Sequence, residues 1–298
     1  MNNNIFKGLI IKGVGGYYTV KINDDEMICK PRGIFRKDGI IPMVGDFVEV
    51  EDNVIIKIFE RKNSLIRPMV ANIDKLFIVV ATKDPEPNIF NIDKMLTIAV
   101  FNDIKPIIIL NKTDLPDLNH VADIYSNIGV DILYMSATNN QGIGQLQKEI
   151  NGCTCALSGV SGVGKTSILN ALDSSLSEKM GEISRKLMRG KHTTRHAELF
   201  KLPTGGFIID TPGFSNLMLS DFNIKDRTKL AMCFPDFTEY HENCKFLNCS
   251  HIKEKGCAVL QALSENKIVR SRHESYIKMY EEIGVFKPWE DKKDEKNI

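Results

Sequence analysis

Two short stretches of this chain carry residue types whose spacing could read a nucleotide: "GVSGVGKT", Gly159 to Thr166, and "NKTD", Asn111 to Asp114. The first has the G-x-x-x-x-G-K-[ST] pattern and stands between an apolar run, "CALS", and an amphipathic pattern, "SILNAL". That strand, turn and helix context is what a phosphate loop requires. Glycines 159, 162 and 164 let the backbone curl, so that N–H groups and a helix N-terminus point at phosphate oxygens. Phosphate contacts are expected from Gly159, Val160, Ser161, Gly162, Val163, Gly164, Lys165, Thr166 and Ser167. Lys165 would bridge the β- and γ-phosphates, and Thr166 would place its hydroxyl on Mg²⁺. The bland alternative is a glycine turn before a helix that carries Lys-Thr.

"NKTD" has the chemistry to choose a base. Guanine presents N1–H and N2–H₂ donors, so the Asp114 carboxylate can accept two hydrogen bonds, whereas adenine lacks that pair and would leave a buried acceptor unmatched. Asn111 would contact the other side of the purine, the Lys112 stem would lie over its face, and Thr113 sits within the motif. The motif ends the apolar run "PIIIL", where open α/β sheets bind ligands. Ser136 and Ala137, in "ILYMSATNNQG", end another strand and are expected to back the base. Taken alone, N-K-x-D could also be a solvated turn.

"DTPG", Asp210 to Gly213, follows the apolar strand "GFIID". Asp210 can hold Mg²⁺ through water, and Gly213 can offer its N–H to the γ-phosphate. A glutamine that orients water commonly follows such a motif; here Phe214 stands there, so slow intrinsic turnover is expected. His192 is the candidate for help, with a surface histidine or phosphate contact as the equal alternative. Between the two motifs, Arg185, Lys186, Arg189, Lys191 and Arg195 meet no acidic neighbour before Glu198. That stretch reads as a solvated loop or as a switch facing an anionic partner, with Thr193 or Thr194 completing the Mg²⁺ shell. Similarity to other "TTR" switches favours Thr194. The catalytic set is then Lys165, Thr194, Gly213 and His192.

Near the C-terminus, "CKFLNCSHIKEKGC" gathers Cys244, Cys249, His251 and Cys257. Three thiolates and an imidazole complete a tetrahedral shell for one structural Zn²⁺ and leave no open position for catalysis. Reduced buried cysteines are the alternative. Cys29, Cys153, Cys155 and Cys233 read as packing residues.

These residues need a scaffold. Short β-rich runs separated by Gly and Asn/Asp turns, from Gly8 to about Ile66, predict a small β-barrel. Apolar strands then alternate with helical stretches, a pattern that predicts an α/β sheet with mostly parallel strands. Beyond about Ser220 helical segments take over, "KIVRSRHESYIKMYEEI" most clearly. The expected organisation is multidomain α/β: a barrel over 1–66, a nucleotide domain over 67–218 and a zinc-binding helical domain over 219–298. Guanine elements precede the phosphate loop, the reverse of the usual order. Strand adjacency lies in space, so cutting a closed circuit of elements elsewhere keeps the site; the order is that of a circular permutation.

The 298 residues carry a formal net charge of only +1, so no global excess points to nucleic acid. Apolar runs fall far short of the roughly 20 residues that span a bilayer, and the first residues do not form a signal peptide; a cytoplasmic location without membrane contact is expected.

With the permuted order, "GVSGVGKTS", "GKHTTR", "DTPGF" and C-x4-C-x-H-x5-C all present, the chain closely resembles the RsgA (YjeQ/YloQ) family of bacterial GTPases that depend on the small ribosomal subunit. The resemblance covers nearly the whole chain. It implies an N-terminal OB-fold, a circularly permuted GTPase domain and a C-terminal zinc domain. It further implies binding to the small (30S) subunit and its rRNA late in maturation, GTP hydrolysis stimulated by that subunit, and release in the GDP state. A monomer is expected. On the barrel, Lys30, Arg32, Phe35, Arg36 and Lys37 are the candidate RNA contacts, on a hairpin. The competing readings are a P-loop ATPase with an accidental "NKTD" and a non-enzymatic, nucleotide-regulated RNA-binding scaffold.

Overall fold

A computed structural model describes residues 4–66, 68–115, 119–176, 197–209 and 218–285. The first five strands close into a barrel: β1 (Phe6–Val14), β2 (Tyr17–Ile22), β3 (Asp25–Pro31), β4 (Phe47–Glu51) and β5 (Val54–Ile58), in the order β1-β2-β3-β5-β4 with β4 returning to β1. Alternation explains which side chains fill it. In β4, Val48 and Val50 are fully buried, while Phe47 between them and the turn is half exposed. Together with Ile10, Val20 and Ile55 they make a dry interior, each side chain contributing about 1.5–3 kcal/mol by leaving water.

The stretch expected as an RNA-binding hairpin is instead a short helix, α1 (Gly33–Lys37), that follows β3. Its Phe35 is 9% exposed and packs into the core, so that ring is not available for base stacking. Lys30, Arg32, Arg36 and Lys37 remain exposed. The reason is amphipathic packing: the Phe35 ring is drawn inward, while the charges and Ile34, 53% exposed, stay on the outer side of the turn.

A partly buried pair fixes the barrel's exit. Arg61 donates to both carboxylate oxygens of Asp46, at 2.7 and 2.8 Å, and Asn72 donates to the Gly45 carbonyl at 2.8 Å. Two short strands, β6 (Ser64–Leu65) and β7 (Val70–Ala71), then lead into the sheet.

Six described strands form that sheet in the order β10-β9-β8-β11-β13-β12: β8 (Lys75–Ala81), β9 (Lys105–Asn111), β10 (Asp131–Tyr134), β11 (Thr154–Ser158), β12 (Leu199–Lys201) and β13 (Phe207–Ile209). Pairing is parallel except between β12 and β13. Its central strand β8 is covered on both sides, Leu76 to Ala81 being at most 4% exposed, which is why it reads as an unbroken apolar run. Helices α2 (Ile89–Phe101), α3 (Asn119–Tyr125), α4 (Ile143–Ile150) and α5 (Lys165–Leu172) connect the strands. Because β9 and β10 flank β8 on one side and β11 on the other, the carboxyl ends of β8, β9, β10, β11 and β13 share one rim.

The C-terminal part begins with three 3₁₀ turns, Leu219–Phe222, Arg227–Lys229 and Ala231–Cys233, in the region where the sequence suggested helical segments. Helices α6 (Pro235–His241), α7 (Ala258–Ser264) and α8 (Arg270–Val285) follow. Helix α8 packs along α2: Lys94 pairs with Glu282 at 2.7 Å, and the other Glu282 oxygen accepts from the Leu219 N–H at 2.9 Å. Cys29, Cys155 and Cys233 are buried and Cys153 half-buried, in the packing roles expected for them. Among the described residues no helix is long and apolar enough to cross a membrane.

Candidate nucleotide site and metal cluster

The glycine-rich turn leaves β11 at Ser158 and enters α5 at Lys165. Two glycines there are dictated by space and conformation together. Gly159 has φ 149° and a Cβ on it would stand 2.4 Å from the Val79 carbonyl oxygen; Gly164 has φ 98° and a Cβ would stand 2.2 Å from Asn111 Nδ2. Lys165 folds onto its own loop, donating to the carbonyls of Gly159 at 2.6 Å and Val160 at 2.9 Å. Burial lowers its pKa, and those carbonyls offset part of the cost of holding the ammonium away from water. Ser161, Thr166 and Ser167 are exposed, while the Val163 side chain is 2% exposed and belongs to the core beneath the loop.

On the neighbouring rim, Asn111 is 2% exposed and uses both ends of its amide within the protein. Its Oδ1 accepts from Ala137 N at 3.2 Å and its Nδ2 donates to the Val163 carbonyl at 2.9 Å. One side chain therefore ties the Asn111–Asp114 loop, the Ser136–Ala137 loop and the glycine-rich loop together. Sequence reasoning assigned Asn111 to the purine alone, and no local signal marks this bracing role. Lys112 adopts φ 65°; its carbonyl accepts from Thr82 Oγ1 at 2.9 Å, and its ammonium donates to the Asp84 carbonyl. Thr113 N donates to the Met135 carbonyl at 3.1 Å, and its hydroxyl is buried with no hydrogen-bond partner. Asp114 is exposed, with one carboxylate oxygen taking a 2.5 Å hydrogen bond from Ser136 Oγ. That bond aims the carboxylate and leaves an oxygen for a ligand. Asp210 and Gly213, Thr193 and Thr194, His192, Phe214 and the basic run from Arg185 to Arg195 lie outside the described residues.

The cysteine cluster closes between α6 and α7. The Sγ atoms of Cys244, Cys249 and Cys257 and one ring nitrogen of His251 lie within 4.8 Å of one another. His251 Nδ1 is 3.6 Å from Cys244 Sγ and 3.4 Å from Cys257 Sγ, which identifies Nδ1 as the inward donor. Its Nε2 meets His241 Nδ1 at 2.8 Å, the outer contact that commonly orients a ligating imidazole. Burial pushes the Cys257 thiol up to about 12 and the His251 imidazole down to about 4. So many buried donors with no cation among them would be held neutral, and a soft divalent ion is the species this set fits. The loop is held from outside as well. His273 Nε2 donates to the His251 carbonyl at 2.7 Å and Tyr276 Oη to the Ser250 carbonyl at 3.0 Å. Glu254 accepts from the backbone N–H groups of Ser250 at 2.8 Å, and of Ile252 and Lys253 at 3.1 Å. Burial opposes ionisation of Glu254, but the hydrogen bonds from Ser250 and Lys253 outweigh it and push the carboxyl down to about 2. Glu254 was not singled out from the sequence, since a glutamate between two lysines reads as solvent-facing.

Comparisons with known proteins agree over nearly the full length. The family described as RsgA GTPase matches residues 58–220, and the RsgA N-terminal domain matches residues 7–54. A protein from Alkaliphilus metalliredigens named Small ribosomal subunit biogenesis GTPase RsgA is 42% identical over 287 residues, covering 93% of this chain and 97% of that protein. Two solved structures share the fold. YjeQ from Thermotoga maritima has a TM-score of 0.81 at 31% identity, covering 95% of this chain and 100% of its own. YloQ, described as a circularly permuted GTPase, has a TM-score of 0.79 at 32% identity, covering 96% and 97%.

Proposed function

This chain belongs to the RsgA GTPase family, and from that premise we propose that it hydrolyses GTP to GDP and phosphate on the small ribosomal subunit, assisting late maturation. The observation that supports the reading is the Asn111 bridge, which joins the loop carrying "NKTD" to the glycine-rich loop across 52 residues of sequence. Asp114, steadied by Ser136, supplies the acceptor that guanine matches and adenine does not.

In this reading the loop from Gly159 to Ser167 holds the phosphates, and Lys165 leaves its carbonyl partners for the β- and γ-phosphate oxygens. Thr166, Thr194 and, through water, Asp210 serve the Mg²⁺ that accompanies GTP. Gly213 and His192 complete the catalytic set. The cation that Cys244, Cys249, His251 and Cys257 fit is Zn²⁺, which fixes the C-terminal fold. Exposed Lys30, Arg32, Arg36 and Lys37 are the proposed barrel contacts to rRNA, and the site of action is the cytoplasm, as a monomer. The test is GTP turnover with small subunits, large subunits and free RNA. Strong stimulation confined to small subunits is expected; a rate that stays at the intrinsic level with small subunits overturns the reading. For His192, alanine is expected to leave GTP affinity intact and remove the stimulated hydrolysis.

A further inference from the structure

A cavity of about 580 Å³ opens beside the metal cluster, between the end of α2, the 3₁₀ turns and α8. Its lining includes Arg227, Lys229, Met232, Leu247, Tyr276 and Tyr280, and none of the lining residues carries a carboxylate. The guanidinium of Arg227 lies over the Tyr280 ring at 4.7 Å, and no ion pair to it occurs among the described residues. The adjacent carboxylate, Asp226, is turned to the Thr228 N–H and hydroxyl at 2.9 and 2.7 Å.

One glycine explains how Arg227 is held. Gly284 lies in the last described turn of α8 and has no positive φ, so it is not a left-handed helix cap. A Cβ there would stand 1.0 Å from an Arg227 Nη and 2.1 Å from its Cζ. Glycine is a poor helix former, and here its missing side chain makes the shelf on which a guanidinium rests. The rest of the wall is apolar and open at its mouth: Met232 is 65% exposed and Leu247 97% exposed. Large apolar side chains that far out of the core, rimming a cationic cavity, indicate a surface that is covered by a partner.

We propose that this cavity receives one unstacked nucleotide of single-stranded RNA, its phosphate on Arg227 and Lys229 and its base against Phe101, Met232 and Leu247, which also line it. Positive charge without an opposing carboxylate selects an anion. Paired aromatic and apolar walls select one that carries a flat, apolar face, which a nucleotide does and inorganic phosphate does not. An Arg already stacked on a ring has lost little freedom left to lose on binding phosphate, which favours the contact. The inference rests on the ribosome-directed reading for the source of the RNA, and on the Gly284 shelf for its position.

The experiment uses the full, metal-loaded chain saturated with GDP. A short single-stranded RNA carrying 4-thiouridine is cross-linked by light, and the attached peptides are identified by mass spectrometry. Cross-links are expected on the segments bearing Met232 or Leu247, the exposed side chains of the rim. Gly284→Ala should reduce them about tenfold, in line with the loss of one stacked, phosphate-anchored nucleotide. Thermal stability should stay level or rise, because Ala is the better helix former. Arg227→Ala should reduce the same cross-links and leave cross-links on the barrel unchanged. Absence of cross-links from both segments, undiminished labelling in both variants, or displacement by poly-glutamate but not by unlabelled RNA overturns the proposal, the last in favour of an acidic polypeptide. Turnover with small subunits, measured alongside, separates the two readings: stimulation without these cross-links removes only the cavity proposal.

Discussion

Asn111 Nδ2 donates to the Val163 carbonyl at 2.9 Å, joining the loop after β9 to the phosphate loop after β11 across the intervening strand β8. Substituting Asn111 with Ala leaves the Val163 carbonyl and the Ala137 N–H without this buried partner. The expected cost is about 1–3 kcal/mol for each group left unsatisfied. Because one amide serves both loops, affinity should fall for the guanine and phosphate parts of the nucleotide together. Calorimetric titration with GDP and with inorganic pyrophosphate measures this; a loss confined to GDP would contradict the bracing role.

Asp114 has one carboxylate oxygen steadied by Ser136 at 2.5 Å, and base choice is the role proposed for it. Asp114→Asn should lower GTP affinity roughly 10- to 100-fold, the scale of about 1.5–3 kcal/mol for a hydrogen bond to a charged group. The variant should gain preference for xanthosine triphosphate, whose acceptor at position 2 matches the new amide. Competition between GTP, ATP and xanthosine triphosphate reads both effects, and equal wild-type binding of ATP and GTP would remove the guanine assignment.

Much of this was legible locally. The strand and helix at either side of "GVSGVGKT", the barrel's short alternating strands and the Cys/His cluster all announce themselves within a few residues, because hydrophobic period and turn glycines are local signals. Phe35 was misplaced because a short basic run does not disclose which of its residues a core will claim. The double role of Asn111 and the burial of Arg272 depend on partners 52 and 179 residues away, and nothing in the flanking sequence encodes such distances. Gly284 is the opposite case: a glycine in a helical pattern is visible in sequence, but only the structure gives its reason.

Glu254 braces the metal loop through three backbone N–H groups. Its carboxyl lies at about 2 in the fold against 4.5 otherwise, so its stabilising contribution is present above that ordinary value and is lost as pH falls from there through 2. Glu254→Gln should be less stable than the parent chain at pH 7, and the gap between them should narrow by pH 3. Thermal melts at the two pH values decide it, and a gap independent of pH would show that the hydrogen-bond count, not the charge, matters.

Removing the metal should unfasten the C-terminal helices first. Chelation of the loaded chain is expected to lower protection from hydrogen exchange around α6 and α7, where Cys244, Cys249, His251 and Cys257 converge. The barrel and sheet should be affected far less, since none of those four residues lies in a paired strand. His251→Ala should reproduce the pattern without chelator; uniform loss across all regions would instead mark global unfolding.

Arg272 is 1% exposed and binds two carboxylates from different parts of the chain. Its Nε and one Nη meet both oxygens of Asp236 in α6 at 2.8 and 2.6 Å, and the other Nη meets Asp93 in α2 at 2.6 Å. Tyr125, which ends α3, donates to the same Asp93 oxygen at 2.9 Å, so the network runs from the helix after the Asn111–Asp114 loop to the helix before the Cys/His cluster. Burial pushes Asp93 up to about 6 against the pull of Arg272, and its second oxygen has no hydrogen-bond partner. Arg272→Leu removes the shared cation and strands two buried carboxylates, which should cost about 3–5 kcal/mol. A carboxyl whose folded pKa is raised favours the fold at low pH and loses that contribution as pH rises through the folded value. Without Arg272 the Asp93 carboxyl is pushed higher still, so the deficit of the variant should grow as pH rises past 6 and be smaller at pH 5, where protonation neutralises Asp93. Asp93→Asn combined with Arg272→Leu should recover part of the loss at pH 8. Denaturant unfolding of the three proteins at pH 5 and pH 8 tests the argument, and a deficit that is the same at both values would mean that lost packing, not uncompensated charge, accounts for it.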